Sequence, residues 1–525
     1  MSATNTTTRP NGLRKTRECL FIIIFATLLI LPWGGQRASL DTRWKLQENR
    51  VPAERPGVSC KWSDISLYPR RFEQYFNDAF GFRSLLTRSR SYMLYFWLHM
   101  SPSSNAIRGR DGRLFLGWRE ELQSYQRLAP YRPEQIAQWV HYYDGIRTWL
   151  AGRNCALVIM IPPNKSTLYP ESMPTMLRRA QPPSRADQLI AALRKCGITV
   201  IDPRESFAKE PATAPLYYRH DTHWTPYGAD IAWRDLLAVV YPDFQPPPTL
   251  LWESSTTETY TGDLALMSGL TGFLWEPQIL TGRTDPPSLR RIPPLPEQPN
   301  WFGRRIVYET DAPERKRAVF FHDSFAGDSF DDLLAVNFST LAMDWTYVFD
   351  PDFVRHHNPD VVVIEILERK LQKDESFGNT VNILASMHDV EPAVSRPHHV
   401  GKNILDTDSL LGVVRRAEDG SAPGWRLFGG YRSMRAGRYI ARFRLRGEPI
   451  STGVLAELDV SCEGGKRQLT HRTLNPGDLP APNAWTDIDL PFEVLEPGAG
   501  KVEMRVNYLG GGHLDIESVS FIARD

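Results

Sequence analysis

The chain has 525 residues, of which 62 are basic and 61 acidic, for a net charge of +1; 42% are hydrophobic and 23% charged. That length supports two or three domains with sizeable cores, and the even charge balance supplies no bulk field to recruit nucleic acid or anionic lipid. Gly-rich phosphate loops, zinc-type Cys/His spacings and internal repeats are all missing from the sequence, so no nucleic acid, metal or other cofactor is expected.

Near the N-terminus, Arg9, Arg14, Lys15 and Arg17 precede CLFIIIFATLLILPW, residues 19–33, and no charge falls between Cys19 and Gln36. Roughly 18 uncharged residues are the lower limit for a membrane-spanning helix and slightly long for a signal-peptide core. The basic flank predicts a cytoplasmic N-terminus with everything after residue 36 exported. No clear A-x-A site follows, so residues 1–36 read as a cytoplasmic tip and uncleaved anchor, with a signal sequence as the alternative. Of the five cysteines, Cys19 lies in the anchor, leaving Cys60, Cys155, Cys196 and Cys462 in an oxidising compartment. If CALVIMIPP and GITVID are adjacent parallel strands, Cys155 and Cys196 share a sheet edge and could bridge; a Cys60–Cys462 pair has no spacing argument.

Residues 37–115 predict a loop-rich lead-in with one clear helical stretch. YPRRFEQYFNDAFGFRSLLTRSRSYMLYFWLHM carries an aromatic stripe at helical spacing, expected to pack into the core, with a break near Gly81. NAIRGRDGRLFLG reads as turn and strand, with Asp111-Gly112 as the turn. From 116 to 375 the pattern alternates. PEQIAQWVHYYDGIRTWLAGR is an amphipathic helix, CALVIMIPP a strand buried on both faces, SRADQLIAALRKCG a helix, and ITVID a short strand. TPYGADIAWRDLLAVVY is a helix with Thr225 as N-cap and Pro226 at the first helical position. RAVFF, a helix from about 325, and DVVVIEIL follow. This alternation predicts an α/β domain with a parallel sheet and helices on both faces. The proline-rich stretch 242–300 reads as loops framing a cleft. Residues 376–400 read as a linker, and the short alternating segments of 401–525 as an all-β sandwich.

In α/β sheets, reactive residues gather at the C-terminal strand edge. RAVFF runs into His322-Asp323-Ser324-Phe325, where a serine at a strand-to-helix turn projects its hydroxyl into the cleft and its N–H is a ready oxyanion donor. Asp328-Ser329-Phe330 repeats the motif, but Ser329 falls inside the expected helix. A serine needs a base oriented by a third group. YYRHDTHWTPYGA supplies both: in an extended segment, Asp221 folds back onto His223 and fixes its tautomer, and the adjacent helix N-terminus favours neutral imidazole. The candidates are therefore Ser324, His223 and Asp221, with His220 and His322 flanking them. His356-His357 and His398-His399 lack companion ligands and read as solvated loop residues. Trp224 either packs the helix start or offers a sugar platform.

DTHWTPYGA, the DSF after a buried strand, and PDVVVIEILERKL resemble the alginate O-acetyltransferases of the AlgX/AlgJ type, which are SGNH-hydrolase-like. ENRVPAERP, YPRRFEQYFNDAFGFR, IRGRDGRLFLG, PPNKSTLYPE and GDLALM extend the resemblance over roughly residues 48–371. The chain departs from the family at Gly112-Arg113-Leu114-Phe115 and at His322, which crowds the turn before the serine. The resemblance implies an SGNH-like acetyltransferase domain over 116–375 and a carbohydrate-binding-module-like sandwich over 401–525. It implies periplasmic residence with anchoring in the inner membrane by residues 19–33. It further implies that Ser324, His223 and Asp221 transfer acetyl groups to hydroxyls of an alginate-like exopolysaccharide through an acetyl-enzyme. A membrane-embedded acyltransferase would supply the acetyl groups. Arg369, in the ERxL pattern, is expected to be structural. A carbohydrate acetyl esterase with the same triad and a non-catalytic polysaccharide-binding scaffold are the alternatives.

Overall fold

The computed structural model describes residues 11–38, 46, 51–57, 61–243, 252–281, 288–292, 305–327, 331–373, 377–449, 453–479, 481–495 and 501–524. Cys60, Ser329 and much of the proline-rich stretch lie outside these residues.

Helix α1 (Asn11–Arg37) contains the apolar run and is long and apolar enough to cross a membrane. Helices α2 (Trp62–Ala79) and α3 (Arg83–Tyr92) divide at residues 80–82, where Phe82 adopts a left-handed φ of 66°. The expected core packing of the aromatic stripe fails for α2, none of whose residues is buried. Helical periodicity identifies an apolar face but not what covers it. Strands β1 (Ala106–Arg108) and β2 (Leu114–Leu116) pair antiparallel around the Asp111-Gly112 turn, and Gly112 takes the positive φ (82°) that the turn demands.

The α/β region then runs α4 (Arg119–Gln126), α5 (Pro133–Ala151), β3 (Ala156–Met160), α6 (Lys165–Leu168), α7 (Arg185–Lys195), β4 (Thr199–Ile201), α8 (Arg204–Phe207) and α9 (Pro226–Val240). It continues through β5 (Trp252–Tyr260), α10 (Asp263–Met267), β6 (Glu276–Thr281), β7 (Leu289–Ile292), β8 (Arg305–Thr310), β9 (Arg317–Phe321), α11 (Asp331–Ala335), β10 (Thr340–Asp344), α12 (Pro351–His357), β11 (Val361–Glu365) and α13 (Phe377–Met387). The seven-stranded sheet has the order β4-β3-β11-β9-β10-β8-β7. The first five strands are parallel; β8 and β7 join antiparallel, so the sheet is mixed rather than wholly parallel.

Strict alternation along the central strands builds two cores. Val158, Met160, Val361 and Val363 face α9, through Trp233, Leu236 and Leu237, whereas Leu157, Ile159, Val362 and Ile364 face α5, α7, α12 and α13. Helices thus cover both faces, which is why these strands read as unbroken apolar runs. Helix α13 corrects the expected linker: Val381, Ile383 and Leu384 bury themselves in the second core. Glu391–Pro392 pairs with Gly512–Arg524, so sandwich pairing also begins earlier than residue 401.

The C-terminal region is an antiparallel sandwich. One sheet orders Lys402–Leu405, Val413–Ala417, Gly512–Arg524, Gly437–Pro449 and Thr486–Val494; the other orders Gly424–Leu427, Glu503–Tyr508, Ala456–Cys462 and Arg467–Leu474. Phe443, Leu445, Leu458, Val460 and Ile516 fill the space between them. Cys155 and Cys196 are not bridged: both are free thiols, Cys155 buried and Cys196 exposed at the C-cap of α7, so they occupy different environments.

Candidate active site

Strands β3, β11, β9 and β10 end side by side, and the loops that leave them converge. The chain leaves β9 at Phe321 and turns through residues 324–326; the next helix is α11, later than the helix expected from about 325. No helix start therefore lies directly at Ser324. Ser324 is partly exposed, and its Oγ lies 2.8 Å from His223 Nε2, across 101 residues of sequence. His223 Nδ1 lies 2.7 Å from Asp221 Oδ1, and the His223 backbone N–H donates to the same oxygen at 2.7 Å. The i, i+2 spacing thus lets one carboxylate oxygen orient both the ring and its backbone. The three predicted residues form one hydrogen-bonded chain, of which His223 (side chain 23% exposed) and Ser324 reach solvent.

A second loop holds Asp221. Tyr260 Oη, at the end of β5, donates to Asp221 Oδ2 at 2.8 Å, and the Asp263 N–H donates to the same oxygen at 2.7 Å. Gly262 permits this approach, since a Cβ there would overlap the His220 carbonyl. Burial works against the Asp221 charge, but the His223 and Asp263 hydrogen bonds outweigh it and hold the carboxyl well below its usual range. Burial also opposes a charge on His223; the Asp221 hydrogen bond and charge, assisted by Asp263, overcome it and raise the imidazole above its ordinary value. The expected bias of the helix N-terminus towards neutral imidazole is therefore outweighed. Asp263 Oδ2 lies 3.9 Å from His223 Nδ1, and burial together with the Asp221 charge pushes its own carboxyl up.

Asp221, His223 and Asp263 could together present ligand atoms to a metal ion, all within 4.8 Å. Their oxygens are already filled by donors, however: Thr222 N–H donates to Asp263 Oδ1 at 2.7 Å and its hydroxyl to Oδ2 at 2.5 Å. The donor set fits a hydrogen-bond relay better than a cation.

Sequence reasoning missed the supports around this chain. Lys165 is buried and donates to the carbonyls of Leu114 (2.7 Å), Arg219 (2.8 Å) and Asp221 (2.9 Å), tying β2 to the histidine loop. Burial pulls its ammonium down to about 7, while three carbonyls use all three of its protons. Beneath the serine turn, Asp323 Oδ1 accepts the Phe325 N–H at 2.8 Å and Oδ2 accepts the Tyr347 hydroxyl at 2.7 Å. Glu365 is fully buried at the end of β11, and burial together with the Asp323 charge pushes its carboxyl well above its ordinary value. An acid closing the apolar run DVVVIE was the available signal. Asn164 Oδ1 accepts the Arg369 N–H at 3.2 Å and its own N–H donates to Glu368 at 2.8 Å. Its Nδ2 and Arg369 Nε are buried without a partner among the described residues.

The flanking candidates take other places. Trp224 is fully buried, its indole N–H donating to the Phe325 carbonyl at 2.9 Å, so it packs the helix start and links the two loops rather than offering a sugar platform. Thr225 caps α9, accepting the Gly228 N–H. The His220 N–H donates to Glu276 at 3.0 Å. His322 is accommodated against Trp345 beside Gly327, and burial lowers its pKa. His356 and His357 lie on α12 rather than in a loop, His357 packing on Phe353. Arg369 is buried, near Glu121 (3.7 Å) and over the Phe325 ring (5.8 Å).

Residues 106–291 match the family model described as SGNH hydrolase-like domain, acetyltransferase AlgX. That span includes Asp221 and His223 and ends before Ser324. The chain is 25% identical over 253 residues to the probable alginate O-acetylase AlgJ of Pseudomonas syringae pv. tomato, covering 48% of this chain and 60% of that one. It is 35% identical over 103 residues to the probable alginate O-acetylase AlgJ of Azotobacter vinelandii, covering 19% of this chain and 26% of that one. The chain thus spans less than two thirds of the length of these curated relatives. Among solved structures it is similar to Pseudomonas aeruginosa AlgX, at 14% identity over 83% of this chain and 98% of that one, with a TM-score of 0.36. Residues 106–291 thus match an SGNH hydrolase-like domain of the AlgX type, and part of the chain is similar to the AlgJ relatives.

Proposed function

We propose that this protein is a polysaccharide O-acetyltransferase acting through an acetyl-serine. The reading rests on the chain from Ser324 Oγ to His223 (2.8 Å) and on to Asp221 (2.7 Å) at the C-terminal edge of a mainly parallel sheet. Ser324 Oγ attacks the carbonyl carbon of a donor acetyl ester while His223 Nε2 takes its proton. The tetrahedral oxyanion is held by the Ser324 N–H and a second donor, for which Asn164 Nδ2–H, without a partner among the described residues, is the candidate. Collapse breaks the bond to the donor oxygen, which leaves with the proton from His223. A sugar hydroxyl then attacks the acetyl-serine, giving its proton to His223, and Ser324 recovers that proton as the new ester departs. Asp221 orients the ring and stabilises the imidazolium.

The names of the AlgJ relatives support an alginate-like exopolysaccharide as acceptor. Helix α1, with its basic flank, anchors the chain in the inner membrane and leaves the rest in the periplasm, beside a membrane-embedded acyltransferase that supplies acetyl groups. Residues 116–375 carry the chemistry and the C-terminal sandwich holds polymer. The test is to incubate the protein with an acetyl-ester donor and an oligosaccharide, then weigh the products. Acetylated oligosaccharide that is lost in Ser324→Ala supports the transferase. Free acetate alone makes the chain an esterase, and full polymer acetylation in cells carrying Ser324→Ala makes it a scaffold.

A further inference from the structure

We propose that helix α2 lies in the membrane–water interface, its aromatic face sunk into the headgroup boundary of the bilayer that α1 crosses; this builds on the anchoring reading above. Along α2, Ile65, Tyr68, Phe72 and Phe76 recur at three- and four-residue spacing, while Ser63, Arg70, Gln74 and Asn77 occupy the opposite side. The rings form a ladder, Tyr68 to Phe72 at 6.0 Å, Phe72 to Phe76 at 6.4 Å and Phe76 to Phe80 at 5.8 Å. The ladder faces outward: Phe76 is 52% exposed, Phe72 41%, and Trp62 at the helix start 81%. Among the described residues nothing buries this face, and a contiguous aromatic stripe left in water costs free energy that a docking surface recovers.

The position of the helix says what covers it. The turn joining α2 to α3 rests on the end of α1: a Cβ at Gly81 would overlap the Pro32 carbonyl, and the Phe82 ring lies where a Cβ on Gly35 would project. Pro32 to Gln36 is where the charge-free run of α1 ends, so the C-terminal end of α2 is fixed at the level of the bilayer surface. Amphipathic helices with aromatic faces lie in this plane, where tyrosine and tryptophan rings are enriched. The result is a lead-in that is laid flat on the membrane at the foot of the anchor.

The test is photocrosslinking of the full chain reconstituted in phosphatidylethanolamine–phosphatidylglycerol vesicles, with p-benzoylphenylalanine placed singly at Phe25, Phe72, Phe76 or Gln74. Lipid adducts at Phe72 and Phe76 are expected at least ~10-fold above Gln74, together with adducts at Phe25 inside the span. Lipid at Phe25 but not at Phe72 and Phe76, or protein adducts at those two positions, overturns the proposal and assigns the face to another chain. Lipid at Phe72 and Phe76 without lipid at Phe25 removes the anchor and leaves the interfacial helix standing. No lipid at any of the three removes both.

Discussion

Replacing Asp263 with asparagine removes one of two carboxylates that share His223 while preserving the shape of the side chain. Asp263 Oδ2 stands 3.9 Å from His223 Nδ1. At that separation two unit charges interact by about 4 kcal/mol at an effective dielectric near 20. Burial and the Asp221 charge push the Asp263 carboxyl up, so the interaction falls short of that bound, and its removal is expected to lower the His223 pKa. The active form of the base is neutral imidazole, present above the His223 pKa and lost as pH falls through it. In the wild type that pKa is raised, so activity is lost at a higher pH than an ordinary histidine, ~6.5, would give. Asp263→Asn moves the acidic limb of kcat/KM to lower pH and lowers the alkaline plateau a few-fold, because a weaker base accepts the serine proton less readily. Initial rates of acetyl-ester turnover, with and without acceptor, from about pH 4.5 to 9 read this directly. An acidic limb that stays in place or moves up refutes the electrostatic account.

Asn164→Ala should lower kcat by about 10²–10³-fold with little change in KM, the loss typical of one oxyanion donor; an unchanged kcat excludes Asn164 from that role. Trp224→Phe removes the N–H donated to the Phe325 carbonyl and leaves a void in a fully buried site, which should cost about 2–3 kcal/mol in urea denaturation. Lys165→Met strands the Leu114 and Asp221 carbonyls, while the Arg219 carbonyl keeps the Leu114 N–H at 2.9 Å, a loss on the order of 3 kcal/mol. Because one of those carbonyls belongs to Asp221, turnover should fall with stability; a variant as stable as wild type by calorimetry refutes this support role.

Local chemistry determined most of what the sequence revealed. Two-residue spacing brings Asp221 onto His223 whatever the rest of the chain does, and Thr225 with Pro226 starts a helix from its own hydroxyl and fixed φ. Continuous apolar runs such as DVVVI identify strands covered on both faces, because only such strands can bury every side chain. Short alternating segments after residue 400 mark a sheet with one face inward. The tertiary structure decided whatever depends on partners distant in the chain. Only the folded sheet brings Ser324 to His223 across 101 residues and sets Glu365 against Asp323 in the serine turn. The approach of residues 260–263 adds Asp263 to the charge balance of His223, which Asp221 dominates, and together they reverse the bias expected from the helix N-terminus. The antiparallel β8 and β7, the burial of α13 and the bare face of α2 were likewise undetermined by pattern. Periodicity records that a face is apolar; what comes to lie against it is a property of the assembled chain.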